Sequence, residues 1–207
     1  MNSEISQRKN EYRKAVTFIN ENRKNFIVLS CEHDNNHNLL SCLVAISAKL
    51  RGRKDIYHTA MIIHDGDKIL SLEITPKKIA LIPFSKAYYS GSFKGILYGQ
   101  VIKGKKSDED NAKILKYIKN NVLNKKYGKL KAFRSWTWWK LWEQKDQDKT
   151  IYCTDKILDI IENFGNHNIH ENNAEITPAG LYHKLLNDYI IGNKWCTHIQ
   201  QLNKCSV

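Results

Sequence analysis

Three residues of this chain could together carry out nucleophilic catalysis: His58, Glu73 and Cys153. An imidazole that lies beside a carboxylate has one ring nitrogen fixed as a hydrogen-bond donor, which leaves the other nitrogen to act as a base. A thiol becomes a strong nucleophile once an adjacent base removes its proton. The trio therefore predicts covalent catalysis at a carbonyl carbon, provided that the fold brings the three side chains together.

A β-hairpin is expected to bring His58 and Glu73 together. The apolar runs IYHTAMII and KILSLEI flank the string HDGD, and Asp-Gly between apolar runs is a strong hairpin signal. With Asp65 and Gly66 as the two turn residues, Glu73 lies directly across from His58. Both side chains would then share one face of the sheet, with Cβ atoms about 5 Å apart. The alternative is an ordinary cross-strand ion pair on a solvated face.

Cys153 stands where a helix is expected to begin. The segment TIYCTDKILDIIENFG predicts a helix over 150–165, with Thr150 at the N-cap and Gly165 at its C-terminal stop. A helix N-terminus stabilises an anion, and an imidazole in reach lowers the pKa of a thiol there from about 8.5 into a range of about 3.5 to 7.5. Helical spacing turns the thiol inward with four apolar residues: Ile157, Ile160, Ile161 and Phe164. The alternative is that Cys153 is a small buried hydrophobic residue.

The remaining patterns predict an α+β chain around these residues. Helical spacing occurs at 1–25, 39–50, 108–123 and 176–191, and strand patterns occur at 26–31, 75–84 and 95–102. The glycine at position 99 is expected to break the last strand. The segment from 192 onwards has no clear pattern.

Composition limits the class of protein. The 207 residues suit one domain, and no apolar run is long enough to span a membrane. The polar N-terminus lacks the apolar centre of a secretory signal, so we expect a cytoplasmic or virion-associated protein. The net charge of +12 comes mainly from lysine and suits an anionic partner, although a chain poor in arginine is not typical of a dedicated nucleic-acid reader. The richness in Lys and Asn suits a phage, a large DNA virus or an AT-rich bacterium.

The order His58, Glu73, Cys153 resembles that of a known family. Together with the strings YHTAMII–DG–ILSLE, NKKYGKLKAF and YCTDKILDII, it resembles the circularly permuted branch of the NlpC-type papain-like cysteine hydrolases. That branch includes YiiX-like and YebB-like proteins and the lecithin retinol acyltransferase group. The resemblance covers roughly 26–190 and implies an antiparallel sheet packed against helices. It also implies that His58 is the base, Glu73 the orienting residue and Cys153 the nucleophile, with no cofactor.

Four aromatic residues are further candidates for the site. The string KYG resembles the family's Gly-x-x-Tyr-Asp stretch, which makes Tyr127 a candidate helper with its hydroxyl near the reacting groups. Tyr57, Trp136 and Tyr152 are expected to line a substrate groove. The tryptophan-rich string RSWTWWKLW has an alternative role as aromatic core.

The resemblance implies one hydrolase domain over 26–191, preceded by a helical extension over 1–25 and followed by a tail over 192–207. The expected reaction is cleavage of an amide bond, of the peptide or peptidoglycan type, through an acyl-enzyme on Cys153. An acyltransferase or lipid thioesterase with the same triad is one alternative, so the substrate could also be an ester, an anionic polymer or a lipid. A non-enzymatic basic module that binds nucleic acid or a host protein is the other.

No metal site is expected. Two groups of cysteine and histidine lack the paired spacing of strong zinc motifs; they are Cys31 with His33 and His37, and Cys196 with His198 and Cys205.

Overall fold

A computed structural model describes residues 2–32, 54, 56–75, 79–90, 93, 95–123, 125–127, 150–151, 153–165, 167, 178–192 and 195–203. Side chains are described within these ranges except at 2–4, 126–127, 150–151, 153 and 155.

This part of the chain forms five helices and eight strands. The helices are α1 (Asn2–Glu21), α2 (Phe84–Ser90), α3 (Asp108–Asn121), α4 (Cys153–Gly165) and α5 (Pro178–Ile190). The strands are β1 (Phe26–Glu32), β2 (Ile56–Asp65), β3 (Lys68–Ile74), β4 (Ile79–Pro83), β5 (Ile96–Ile102), β6 (Lys126–Tyr127), β7 (Thr150–Ile151) and β8 (Cys196–Gln201).

Six strands form one antiparallel sheet in the order β4-β3-β2-β1-β5-β8, and β6 pairs with β7 in parallel. The predicted α+β class is confirmed. The segment predicted to be extended over 75–84 forms β4 and then turns into α2 at Phe84. None of the described helices has both the length and the apolar character that a membrane span requires.

The side chains of a strand alternate between the two faces of the sheet, and helices cover both faces. The sheet therefore has an apolar core on each face. On one face, α1 and α2 pack Phe18, Ile19 and Phe84 against strand residues such as Ala60 and Ile62. We call this the α1–α2 face. On the other, the α3–α5 face, three helices pack against neighbouring strand residues; the apolar contributors include Ile114, Ile118, Ile157, Ile161, Leu181, Leu185, Met61 and Ile63.

The β2–β3 hairpin forms as predicted, but its register differs from the expected one. Asp65 pairs with Lys68, so the two turn residues are Gly66 and Asp67. Gly66 has φ +58°, whereas Asp67 is not among the positive-φ residues. A hairpin turn that takes glycine at the first of its two loop positions requires only glycine to have positive φ, whereas the predicted turn would impose it on Asp65.

The new register moves each pairing by two residues. Met61 with Leu72 is the last pair of this ladder, and the same register continued by one residue would set Glu73 opposite Ala60. The predicted position of Glu73 directly across from His58 is therefore wrong. Glu73 lies one diagonal step away. Because the side chains of a strand alternate with a period of two, an even shift keeps both residues on the same face.

The expected break in the strand at Gly99 is wrong. Strand β5 runs unbroken from Ile96 to Ile102. A Cβ atom at Gly99 would overlap the ring of Phe18, which packs on the strand from α1. The glycine therefore makes room for a neighbouring side chain, and the N-terminal helix shares the core of the α1–α2 face. In the segment from 192 onwards, β8 pairs with β5 at the edge of the sheet.

Candidate functional site

His58 and Glu73 form a buried hydrogen-bonded contact on the α1–α2 face. The Nε2 atom of His58 lies 2.8 Å from Oε2 of Glu73. His58 is 7% exposed and Glu73 is 4% exposed, so little water reaches either group. The predicted proximity of the two residues is confirmed, and the solvated ion pair that was its alternative is not what forms.

A second hydrogen bond holds the carboxylate from the opposite side. The Ser71 hydroxyl lies 2.5 Å from Oε1 of Glu73 and donates to it. Burial alone would raise the pKa of this carboxyl group. The hydrogen bond and charge of His58 and the hydrogen bond from Ser71 outweigh burial and hold the pKa of Glu73 below its ordinary value. Glu73 is therefore an anion at neutral pH.

An ionised Glu73 determines the tautomer of His58. A carboxylate only accepts hydrogen bonds, so Nε2 of His58 must carry the hydrogen that lies between them. In the neutral ring the lone pair then belongs to Nδ1. This nitrogen makes no hydrogen bond to the part of the chain that the structure describes. The arrangement can therefore take a proton at Nδ1 while the carboxylate stabilises the imidazolium that results.

Aromatic side chains flank the imidazole. The ring of Phe93 lies 5.8 Å from that of His58, centroid to centroid, and the half-buried ring of Tyr57 lies 6.2 Å away. Tyr57, which we expected to line a substrate groove, is thus next to the predicted base. An apolar wall of this kind keeps water away from the imidazole and strengthens its electrostatic coupling to Glu73.

Cys153 is the first residue of α4, and its side chain lies outside the described part of the structure. The predicted capping of the helix by Thr150 is wrong, because Thr150 belongs to β7. The apolar residues of α4, such as Ile157 and Ile161, pack on the α3–α5 face, whereas His58 faces the other side of the sheet. The predicted contact between the Cys153 thiol and His58 falls on an undescribed side chain.

The direction of α4 along the sheet bears on the position of Cys153. Its last residue, Gly165, packs against Phe26 at the start of β1, where a Cβ atom would come within 2.8 Å of Cε2 of that ring. A helix of this length spans about 20 Å, so Cys153 lies well away from Phe26. At the far end of β1, Cys31 pairs with His58. Helix α4 also contacts β2, the strand that carries His58.

Sequence reasoning missed one thiol near this pair. Cys31 of β1 is the direct ladder partner of His58, and both belong to the α1–α2 face. Its side chain is fully buried, and its sulfur contacts the carbonyl oxygen of Glu32 at 3.9 Å. The pairing of β1 with β2 crosses a long intervening segment, so no local pattern in the sequence could have indicated it.

Three other predicted residues are only partly described. Tyr127 pairs with Ile151 in the parallel β6–β7 ladder, and Ile151 precedes the first residue of α4 by two positions. The side chain of Tyr127 is not described. Trp136 and Tyr152 lie outside the described residues. Among the described residues, no group of three His, Cys, Asp or Glu side chains is arranged to hold a metal ion.

Comparison with known proteins gives no assignment. No protein-family model matches this chain, and no curated protein matches its sequence at a significant level. The geometry of the His58–Glu73 pair therefore carries the functional argument.

Proposed function

We propose that this protein is a thiol-dependent hydrolase of amide bonds, with a permuted papain-like fold of the NlpC type. His58 is the general base and acid, Glu73 orients it, and Cys153 is the nucleophile. The observation that carries the proposal is the buried contact of 2.8 Å between His58 Nε2 and Glu73 Oε2. A cofactor is not needed for this chemistry.

In the proposed reaction, Nδ1 of His58 takes the proton of the Cys153 thiol, and the thiolate attacks the carbonyl carbon of the substrate. The tetrahedral oxyanion that forms is stabilised by the backbone amide of Cys153 at the start of α4. The C–N bond then breaks, and His58 gives its proton to the leaving amine. Water, deprotonated by His58, hydrolyses the thioester and restores the thiol. Glu73 remains an anion throughout and stabilises the imidazolium.

Two structural facts support Cys153 as the nucleophile. It is the first residue of a helix, where partial positive charge stabilises a thiolate. In addition, α4 contacts β2, the strand that carries His58. The competing thiol is Cys31, which the ladder places directly across from the imidazole. Replacing each of the two cysteines in turn therefore shows which one is the nucleophile.

The test compares three cysteine variants: Cys153→Ala, Cys31→Ala and, as a matched control, Cys196→Ala. Burial raises the pKa of the Cys196 thiol to about 12, so this residue is a poor nucleophile and its loss should leave turnover unchanged. Amine release is measured from a panel of peptide amides and peptidoglycan fragments, with thermal melts alongside. We expect Cys153→Ala to abolish turnover and Cys31→Ala to retain it.

Other outcomes assign other functions. Loss of turnover in Cys31→Ala alone would move the nucleophile to β1. Transfer of the acyl group to a lipid or amine acceptor, seen by mass spectrometry, would assign an acyltransferase instead. If the wild-type protein turns over no amide or ester, and binds single-stranded nucleic acid with a steep dependence on salt, the basic-module alternative replaces the hydrolase.

A further inference from the structure

A third buried side chain, Ser71, is in direct contact with the His58–Glu73 pair. Ser71 lies two residues before Glu73 on β3, so both side chains project from the same face of the strand. Ser71 is fully buried, and its hydroxyl lies 2.5 Å from Oε1 of Glu73. The other carboxylate oxygen, Oε2, is the one that meets His58.

We propose that Ser71 is a positioning residue, whose hydroxyl occupies Oε1 of Glu73 and so keeps Oε2 directed at His58. This inference rests on the proposed function for its catalytic consequence, but not for its structural test. The hydroxyl of Ser71 bonds to Glu73, so it acts through that carboxylate.

The geometry gives a physical reason why such a residue is needed. The register that pairs Met61 with Leu72 sets Glu73 opposite Ala60 when it is continued by one residue, so Glu73 reaches His58 only diagonally. The side chain must therefore lean along the strand, which a flexible Glu does at a cost in rotamer freedom. A carboxylate held at both oxygens can rotate neither about its terminal bond nor away from the imidazole. The hydroxyl also gives the second oxygen of a buried anion the hydrogen bond that it would otherwise lack.

The first test measures the carboxyl group itself and needs no substrate. Carbon-13 NMR of the glutamate carboxyl carbons, assigned with Glu73→Gln, follows the titration of Glu73 in wild type, Ser71→Ala and Ser71→Thr. Because a donor to the carboxylate is lost, we expect the pKa of Glu73 to rise in Ser71→Ala. Ser71→Thr keeps the hydroxyl and should restore the wild-type titration.

A matched control is available on the opposite face of the sheet. Ser30 is also fully buried, and its hydroxyl bonds to Gln100 at 2.7 Å. Ser30→Ala removes a buried serine of the same size without touching the carboxylate, so the titration of Glu73 should stay unchanged. An unchanged titration in Ser71→Ala would overturn the proposal. If Ser71→Ala does not fold, Ser71→Cys supplies a side chain of similar size with a weaker donor, and the same upward shift is expected.

The second test measures the amide-hydrolysis rate against pH. We expect Ser71→Ala to lower the rate about tenfold, a part of what general acid–base catalysis contributes. The acid limb of the profile should move to lower pH, because a carboxylate that is no longer directed at His58 stabilises its imidazolium less. A merely structural role would lower the amount of folded protein without moving that limb. If the titration of Glu73 shifts but no variant shows thiol-dependent hydrolysis, the positioning role stands and the proposed function fails.

Discussion

His58 and Glu73 meet diagonally across the β2–β3 hairpin. Nε2 of the imidazole lies 2.8 Å from Oε2 of the carboxylate. The register of the hairpin, continued by one residue past the Met61–Leu72 pair, would nevertheless set Glu73 opposite Ala60 and not opposite His58. The carboxyl group spans the diagonal and is held at its other oxygen by Ser71. The pairing is buried on the α1–α2 face, where the apolar surroundings strengthen it.

Replacement of Glu73 by glutamine should reduce catalysis without abolishing it. An amide oxygen can still accept the hydrogen of His58 Nε2, but it does not stabilise the imidazolium that forms after proton transfer. We expect the hydrolysis rate to fall on the order of ten- to a thousand-fold, less than the ~10⁴ that follows when the wrong tautomer is enforced. The measurement is kcat for both proteins on any amide that the wild type cleaves. Wild-type kcat in Glu73→Gln would remove the carboxylate from the mechanism.

The same substitution should change the dependence of stability on pH. The pKa of Glu73 is lowered in the folded state, so its charge stabilises the fold above the pKa of the unfolded chain, and this stabilisation disappears as pH falls through the folded value. The free energy of unfolding of Glu73→Gln should therefore differ more from that of the wild type at pH 7 than at pH 3. Urea titrations at the two pH values give the comparison, and an equal difference at both would contradict the assigned charge.

Cysteine reactivity gives a prediction that needs no substrate. Cys153 should react with iodoacetamide faster than the other four cysteines, because a helix N-terminus and an imidazole both favour the thiolate. His58→Ala should slow that reaction at pH 7. Cys196 is the internal reference, since burial raises the pKa of its thiol to about 12. Mass spectrometry of alkylated peptides measures each rate, and equal labelling of all five cysteines would indicate that Cys153 is structural.

Acid should destabilise the fold through His64. Its ring is buried, and neither nitrogen has a hydrogen-bond partner among the described residues. Burial lowers its pKa to about 4, assisted by the charges of Lys106 and Arg23 against the opposing charge of Asp108. Between pH 6.5 and about 4 the unfolded chain binds a proton here that the folded chain does not. The free energy of unfolding should therefore fall as pH decreases through this window, by up to about 1.4 kcal/mol per pH unit.

The variant His64→Leu isolates this contribution. Leucine does not titrate and suits an apolar position, so the slope of unfolding free energy against pH should be smaller in the variant over that window. Denaturant titrations at half-unit steps of pH from 7 to 4 measure both slopes. Identical slopes in the two proteins would show that His64 is protonated as readily in the fold as in the unfolded chain.

Gly99→Ala should destabilise the protein, since the added Cβ atom would overlap the Phe18 ring. Overpacking of this kind costs about 1–3 kcal/mol. In a double-mutant cycle, Phe18→Leu should recover part of the loss in Gly99→Ala, because the shorter side chain vacates the space above the strand. Thermal melts of the four proteins give the coupling. Additive effects would contradict the contact.

The sequence by itself determined most of the local structure. Helix α1, strand β1, the hairpin and helices α3, α4 and α5 follow from apolar periodicity and turn residues, which act over a few neighbouring positions. The turn also shows the limit of such rules. The Asp-Gly pair located the hairpin, but it left open which two residues form the turn. That choice depends on which residue takes positive φ, and of the turn residues only Gly66 does. Because the resulting shift was even, His58 and Glu73 still meet.

Only the tertiary structure decided what surrounds that pair. Ser71 could have been found from its spacing to Glu73, since residues two apart on a strand share a face. Cys31 and Phe93 could not, because they approach His58 through strand pairing and a ring contact between segments far apart in the chain. Gly99 was misread for the same reason, since its role depends on Phe18 of a distant helix. The local sequence pattern determines which helices and strands form. The neighbours of each functional side chain are determined by packing between distant segments, which a local pattern does not encode.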